Sequence, residues 1–145
     1  MIDLVIYIGS FVGMELIAWF THKYIMHGFL WKWHKDHHVP NPKNHLQKND
    51  YFFLVFASPG VVTIFLGTYM DMAYMLAIGL GITSYGFAYF IIHDVFIHRR
   101  LKWFRSSRFS YLKAITRAHK VHHKKMYKAD GECFGMLWVS YKYLK

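Results

Sequence analysis

Three long stretches of this chain are apolar almost without interruption, and the polar residues gather between and after them. The first runs from about Ile2 to Phe20, with Asp3 at its outer edge and Glu15 inside. It is long enough to cross a bilayer as a helix. The second, Tyr51 to Met70, contains Ser58-Pro59-Gly60, which predicts a kinked helix. The third, Met72 to Ile92, carries Gly79, Gly81 and Gly86 as close-packing positions between membrane helices. Only a very short turn around Asp71 separates the second from the third, so these two form a tight hairpin. The segment Phe134 to Leu144 is too short to span and reads as an interfacial or packing segment. The pattern predicts an all-α integral membrane protein with about three transmembrane helices, in a single domain over residues 1–145. The first stretch lacks a basic leader and an A-x-A-like cleavage site, so it reads as a membrane helix and not as a signal peptide.

Charge orients this arrangement. The chain is 54% hydrophobic and yet carries a formal charge of +10. Lys and Arg are absent from 1–22 and from 49–98, and all 18 lie in 23–48 and 99–145. Apolar blocks alternating with basic ones indicate a membrane protein with basic loops, not a nucleic-acid binder. The hairpin returns the chain to the side it left, and positive-inside bias puts that side in the cytoplasm. The basic residues of 99–128 suit anionic lipid headgroups. They also suit an acidic protein partner, with Arg105 and Arg108 as the residues to test. The one cysteine, Cys133, excludes an intramolecular disulfide and reads as a small buried residue.

Ten of the eleven histidines fall into four clusters that form two matched pairs. His22 and His27 make H-x-x-x-x-H, and His34, His37 and His38 make H-x-x-H-H. The same patterns return, in the same order, as His93 and His98, then His119, His122 and His123. Imidazole is the commonest side-chain metal ligand, so the repetition predicts a site for more than one ion. On an α-helix each residue turns about 100°, which puts each triplet on one face. The five-residue step is different, because it sets two rings about 140° apart on an ideal α-helix. Each such pair can share a site only near a helix end, at a bulge, or between two metals. Both lie where an apolar helix meets the cytoplasm, so the clusters can converge just below the bilayer.

Imidazole alone does not select the metal, since it suits Zn, Cu, Fe and Ni. A zinc-binding or transport protein is therefore one reading, although a transporter expects polar ligands near the bilayer midplane. Asp36 and Asp94 lie in or beside the clusters. Each carboxylate can orient a ligand imidazole, or pair with Lys35 or Arg99. Glu15 should face the protein interior, where it can bond a histidine or another polar partner. His45 reads as a loop residue and a further candidate neighbour of the site. Asn49 and Asp50 read as a helix cap before the second span. Tyr85, Phe87, Tyr89 and Phe90 can line a channel for an extended apolar substrate, or simply pack between helices.

At these residues the chain resembles the membrane fatty-acid-hydroxylase superfamily, which includes sterol desaturases and carotenoid hydroxylases and is marked by four histidine boxes. HKYIMHG at 22–28, WHKDHH at 33–38, YGFAYFIIHD at 85–94 and the YLK…AH…HH stretch at 111–123 look most like the bacterial carotenoid branch. The segment Gly131 to Gly135 matches that branch only loosely. The resemblance implies a nonheme diiron monooxygenase with O2 as co-substrate and a ferredoxin-type electron donor. It implies hydroxylation of carbon 3 of the β-ionone ring, taking β-carotene to β-cryptoxanthin and zeaxanthin in the bacterial cytoplasmic membrane. By the same resemblance the ligands to two iron ions are His22, His27, His34, His37, His38, His93, His98, His119, His122 and His123. A hydroxylase or desaturase of fatty acyl chains or sterols shares the boxes and is the alternative. A metal-binding membrane protein without catalysis is the third reading.

Overall fold

A computed structural model describes residues 1–39, 46–101, 103, 107–125 and 131–145, so His45 and Arg105 lie outside the described residues. The described part is built of helices joined by irregular segments, with no strands. Helix α1, Ile2–Phe20, runs on without a break into a π-helical segment, Thr21–Phe29. Gly28, at φ −89° and ψ −124°, leaves helical geometry and turns the chain into α2, Trp31–His38. A short 3-10 turn, Lys48–Asp50, leads into α3, Tyr51–Tyr69. Helix α4, Ala73–Tyr89, likewise continues into a π segment, Phe90–Ile97. Helix α5, Ser110–Lys124, and a last 3-10 turn, Tyr141–Tyr143, complete the order.

Among the described residues, three helices are long and apolar enough to cross a membrane: Ile2–Phe29, Lys48–Tyr69 and Ala73–Ile97. Leu4, Val5, Ile8, Val12 and Leu16 of α1, and Phe53, Val61, Val62 and Phe65 of α3, point away from the protein. An outer surface this apolar belongs against lipid. Helix α4 packs against both α1 and α3 and is the middle element.

Glycine sets how closely these helices approach. A Cβ on Gly67 would strike the backbone of Leu76 across the hairpin, and one on Gly79 would lie 2.6 Å from the Ile64 side chain. A Cβ on Gly81 would lie 2.6 Å from the Tyr7 carbonyl of α1. Gly86 corrects the expectation: no atom lies within 4 Å of its notional Cβ, so it is not a close-packing position. The hairpin turns through Asp71, at φ 53°, a left-handed conformation that Asp tolerates. Helix α3 runs unbroken through Pro59. Proline has no N–H for the Val55 carbonyl, and Ser58 Oγ donates to that oxygen at 3.3 Å.

The hairpin turn lies at one end of the bundle, and both π segments lie at the other. There α2 packs on the first π segment and on the 3-10 turn before α3, while α5 packs on the second π segment. The C-terminal segment does pack, as expected. Met136, Val139 and Tyr143 join Ala114, Ile115 and Ala118 of α5 in one core. Met14, Ala18 and Tyr85 form the other core, between α1 and α4. Cys133 is only half-buried and has φ 61°, so it is not the buried residue expected.

Candidate metal centre

The H-x-x-x-x-H spacing matches the period of the helices that carry it. A π-helix bonds residue i to residue i+5, and it occurs mostly at functional sites. The His98 amide donates to the His93 carbonyl at 2.9 Å, so the bond itself joins the two histidines. The Leu30 amide donates to Ile25 in the same way at 3.0 Å. Residues five apart therefore share a face. The His22 and His27 rings lie 5.2 Å apart, and those of His93 and His98 lie 4.5 Å apart. Of the three placements open to these pairs, the structure uses the bulge.

Nine histidines form two groups within which the candidate ligand nitrogens all lie within 4.8 Å of one another. One group is His22, His27, His34, His38 and His122. The other is His37, His93, His98 and His119. His123 stands between them. Its ring is 4.7 Å from those of His37 and His38 and 4.5 Å from that of His119. The ten clustered histidines thus fall as five and four, with His123 beside both. Among the described residues, neither group contains a carboxylate or a thiol.

Hydrogen bonds on the far side of the rings decide which nitrogen faces inward. His22 Nδ1 donates to the Phe134 carbonyl at 2.9 Å, and His122 Nδ1 donates to the Glu132 carbonyl at 2.9 Å. His34 Nδ1 donates to Asn49 Oδ1 at 2.6 Å, and His37 Nδ1 donates to Gln47 Oε1 at 3.1 Å. His93 Nδ1 donates to Asp94 at 3.2 Å. A neutral imidazole that donates through Nδ1 keeps a bare lone pair on Nε2. Those lone pairs converge. Nε2 of His22 is 3.0 Å from Nε2 of His34, and Nε2 of His37 is 3.1 Å from Nε2 of His93. Two facing lone pairs repel unless a cation lies between them. Nitrogens about 2.1 Å from one ion at right angles stand about 3.0 Å apart, so the spacing fits ligands of a shared metal. His38 Nδ1 and His123 Nε2 are buried without a hydrogen-bond partner among the described residues, which also fits a centre built for an ion.

Seven of the rings are poised neutral. Burial first, then neighbouring imidazoles, lower the pKa of His38 and His123 to about 2. Burial also lowers His34 and His98 to about 3, and His122 to about 4. His37 and His119 lie well below the usual value for the same reasons. Near neutral pH these rings are in the form that binds metal.

The supporting residues differ from expectation at two places, Asp36 and Asn49. Asp36 bonds no histidine. It accepts the Lys48 and Asn49 amides at 2.5 and 3.4 Å, and so holds the turn that presents Asn49 to His34. Asn49 is no simple cap, since its side chain holds His34. Glu15 faces the interior as expected and takes other polar partners, with no contact to a described histidine. Its carboxylate accepts the Tyr85 hydroxyl at 2.7 Å and the amides of Met136, Leu137 and Trp138. Asp94 does orient a ring, and its ion-pair partner is Arg100. Arg100 also bonds Asp50, and Asp50 accepts the Gln47 amide. One loop of contacts thus runs from His93 through Asp94, Arg100, Asp50 and Gln47 to His37. The Glu132 and Phe134 carbonyls were not legible as supports, because backbone acceptors leave no composition signal, and Gln47, a side-chain acceptor, lies ten residues along the chain from His37.

Aromatic rings close the site. The Phe134 ring lies 5.1 to 5.5 Å from those of His22, His27 and His122. Trp31 lies 5.1 Å from His27, and Tyr89 lies 4.8 Å from His93. Tyr85 is buried, but Phe87 is exposed and faces outward.

The sequence profile of the fatty acid hydroxylase family matches residues 7–141. The chain is 41% identical to a protein named beta-carotene hydroxylase of Pantoea ananas, over 88% of this chain and 72% of that protein. It is 38% identical to another of that name from Pseudescherichia vulneris, over 96% of this chain and 78% of that protein. A chloroplastic beta-carotene 3-hydroxylase of an Oncidium hybrid cultivar is 34% identical over 95% of this chain and 45% of that protein. No solved structure matches significantly.

Proposed function

The chain belongs to the fatty acid hydroxylase family, and from that premise we propose that it is a membrane diiron monooxygenase acting on β-carotene. It hydroxylates carbon 3 of each β-ionone ring, giving β-cryptoxanthin and then zeaxanthin. The observation that carries this reading is the pair of adjoining all-histidine groups, in a chain whose relatives are named for β-carotene hydroxylation.

His22, His27, His34, His38 and His122 hold one iron ion, and His37, His93, His98 and His119 hold the other, with His123 beside both. When bound, the iron pair supplies activation of O2, which an unactivated ring C–H bond requires. Per ring, the C–H bond, O2, two electrons and two protons become a C–OH group and water. The protein's part is to bind, orient and exclude water. Asn49, Gln47, Asp94 and the Glu132 and Phe134 carbonyls fix the tautomers that turn each Nε2 inward. Phe134, Trp31 and Tyr89 pack over the imidazoles and keep water from their edges. The ring substrate reaches the site from the bilayer, because His22, His27 and His93 lie at the ends of two membrane helices and His98 directly follows the second. The site faces the cytoplasm of a bacterial cell, where a ferredoxin-type donor delivers electrons to the basic surface that includes Arg108.

The test is pigment chromatography of a β-carotene-accumulating bacterial host expressing this chain, beside a His37→Ala control. Zeaxanthin and β-cryptoxanthin should appear only with the intact chain. Unchanged β-carotene, with iron-loaded protein present in the membrane, would turn the assignment to acyl or sterol substrates.

A further inference from the structure

Glu15 is a buried carboxylate on a membrane helix, 7% exposed, and touches neither histidine group. One of its oxygens accepts three consecutive backbone amides, Met136, Leu137 and Trp138, at 2.9, 2.8 and 2.9 Å. The other accepts the Tyr85 hydroxyl at 2.7 Å. A row of backbone N–H groups converging on one anion is a nest, here built by the C-terminal segment around a side chain of α1. The same segment supplies the Phe134 carbonyl to His22 and the Glu132 carbonyl to His122. Cys133, at φ 61°, lies between these two residues. Gly135 joins the nest to them, and a Cβ there would lie 2.8 Å from the Glu15 carboxylate. The four-histidine group takes its support elsewhere, from Gln47, Asp94 and Arg100.

We propose that Glu15, seated by Tyr85, is a positioning residue for the five-histidine group. It ties the C-terminal segment to the membrane bundle, and that segment holds His22 and His122 with Nε2 turned inward. The inference rests on the reading that each group binds a metal ion.

The experiment is a ferrous-ion titration of the metal-free full chain in detergent, resolving the two binding steps by competition with a chelator. Intact protein should take up two ions. Glu15→Ala should weaken one step about 10- to 100-fold, the size of effect seen when a ligand histidine loses its support. The other step should stay within about threefold. Glu15→Gln keeps an acceptor oxygen for the amides and should restore most of the loss. Gly135→Ala substitutes neither Glu15 nor any histidine but sets a Cβ against the Glu15 carboxylate, so it should disturb the nest and reproduce the selective weakening even if Glu15→Ala fails to fold. Equal weakening of both steps by Gly135→Ala, or no weakening, would overturn the inference while leaving the metal reading intact. Fewer than two ions on the intact chain would overturn the metal reading, and the inference with it.

Discussion

Asn49→Ala isolates the part of the account that depends on tautomers. The Asn49 side chain accepts from His34 Nδ1 at 2.6 Å, and His34 is 2% exposed. Removing the acceptor forces one of two outcomes. Either a buried N–H goes unsatisfied, at about 1–3 kcal/mol, or the proton moves to Nε2. That nitrogen lies 3.0 Å from His22 Nε2 and 3.2 Å from His38 Nε2. A proton there occupies the lone pair a metal needs. At about 1.4 kcal/mol per tenfold, the first outcome alone weakens binding about 5- to 150-fold. The backbone amide that Asp36 accepts is unchanged by the substitution, so the turn before α3 should persist. Asn49→Asp restores an acceptor and should bind within a few-fold of the intact chain. The assay is chelator competition on metal-free protein with Zn or ferrous ion. If Asn49→Ala binds both ions as tightly as the intact chain, the tautomer argument fails.

Asp94→Asn should weaken an ion in the four-histidine group by about tenfold or more, because the neutral amide supports the His93 ring less well; metal content after dialysis reads this. Gly67→Ala should destabilise the chain by about 1–3 kcal/mol or prevent its accumulation, since its Cβ meets Leu76 backbone that cannot step aside; thermal unfolding in detergent checks it. Acid should unfold the metal-free protein. His34 and His98 titrate near 3 and His122 near 4 when folded, against 6.5 for the free side chain. Above pH 6.5 both states hold the rings neutral, and the shifts have no effect on stability. Below it the unfolded chain takes up protons that the folded chain refuses, so stability falls with pH, by about 1.4 kcal/mol per unit for each histidine. A midpoint of denaturation unchanged between pH 7 and pH 5 would contradict this.

The sequence made the spans, the hairpin at Asp71 and the convergence of the histidines legible, because hydropathy and a repeated ligand spacing are one-dimensional signals. The five-residue step was legible only as a problem. An α-helical ruler puts His22 and His27 on different faces, and only the i to i+5 bonding of the π segments resolves it. What stayed hidden was contact between distant parts of the chain. Glu15 lies more than 100 residues from the amides it binds, and Asn49 reads as a cap until α2 is folded beside it. Gly86 looks like Gly79 in sequence, but no helix passes near it.

The two histidine groups also differ in their surroundings. The five-histidine group leans on neutral acceptors, two of them carbonyls of the C-terminal segment. The four-histidine group leans on Asp94, itself tied through Arg100 to Asp50. A carboxylate partner raises ligand basicity, so two ions held here would not be equivalent.

In the proposed reaction one chain uses both groups, each with one iron ion, to oxidise its substrate. Iron per chain in a purified preparation that converts β-carotene to zeaxanthin tests it most directly. The account predicts two iron ions per chain, with conversion lost as either is removed. Full conversion by a preparation holding one ion or none would contradict it.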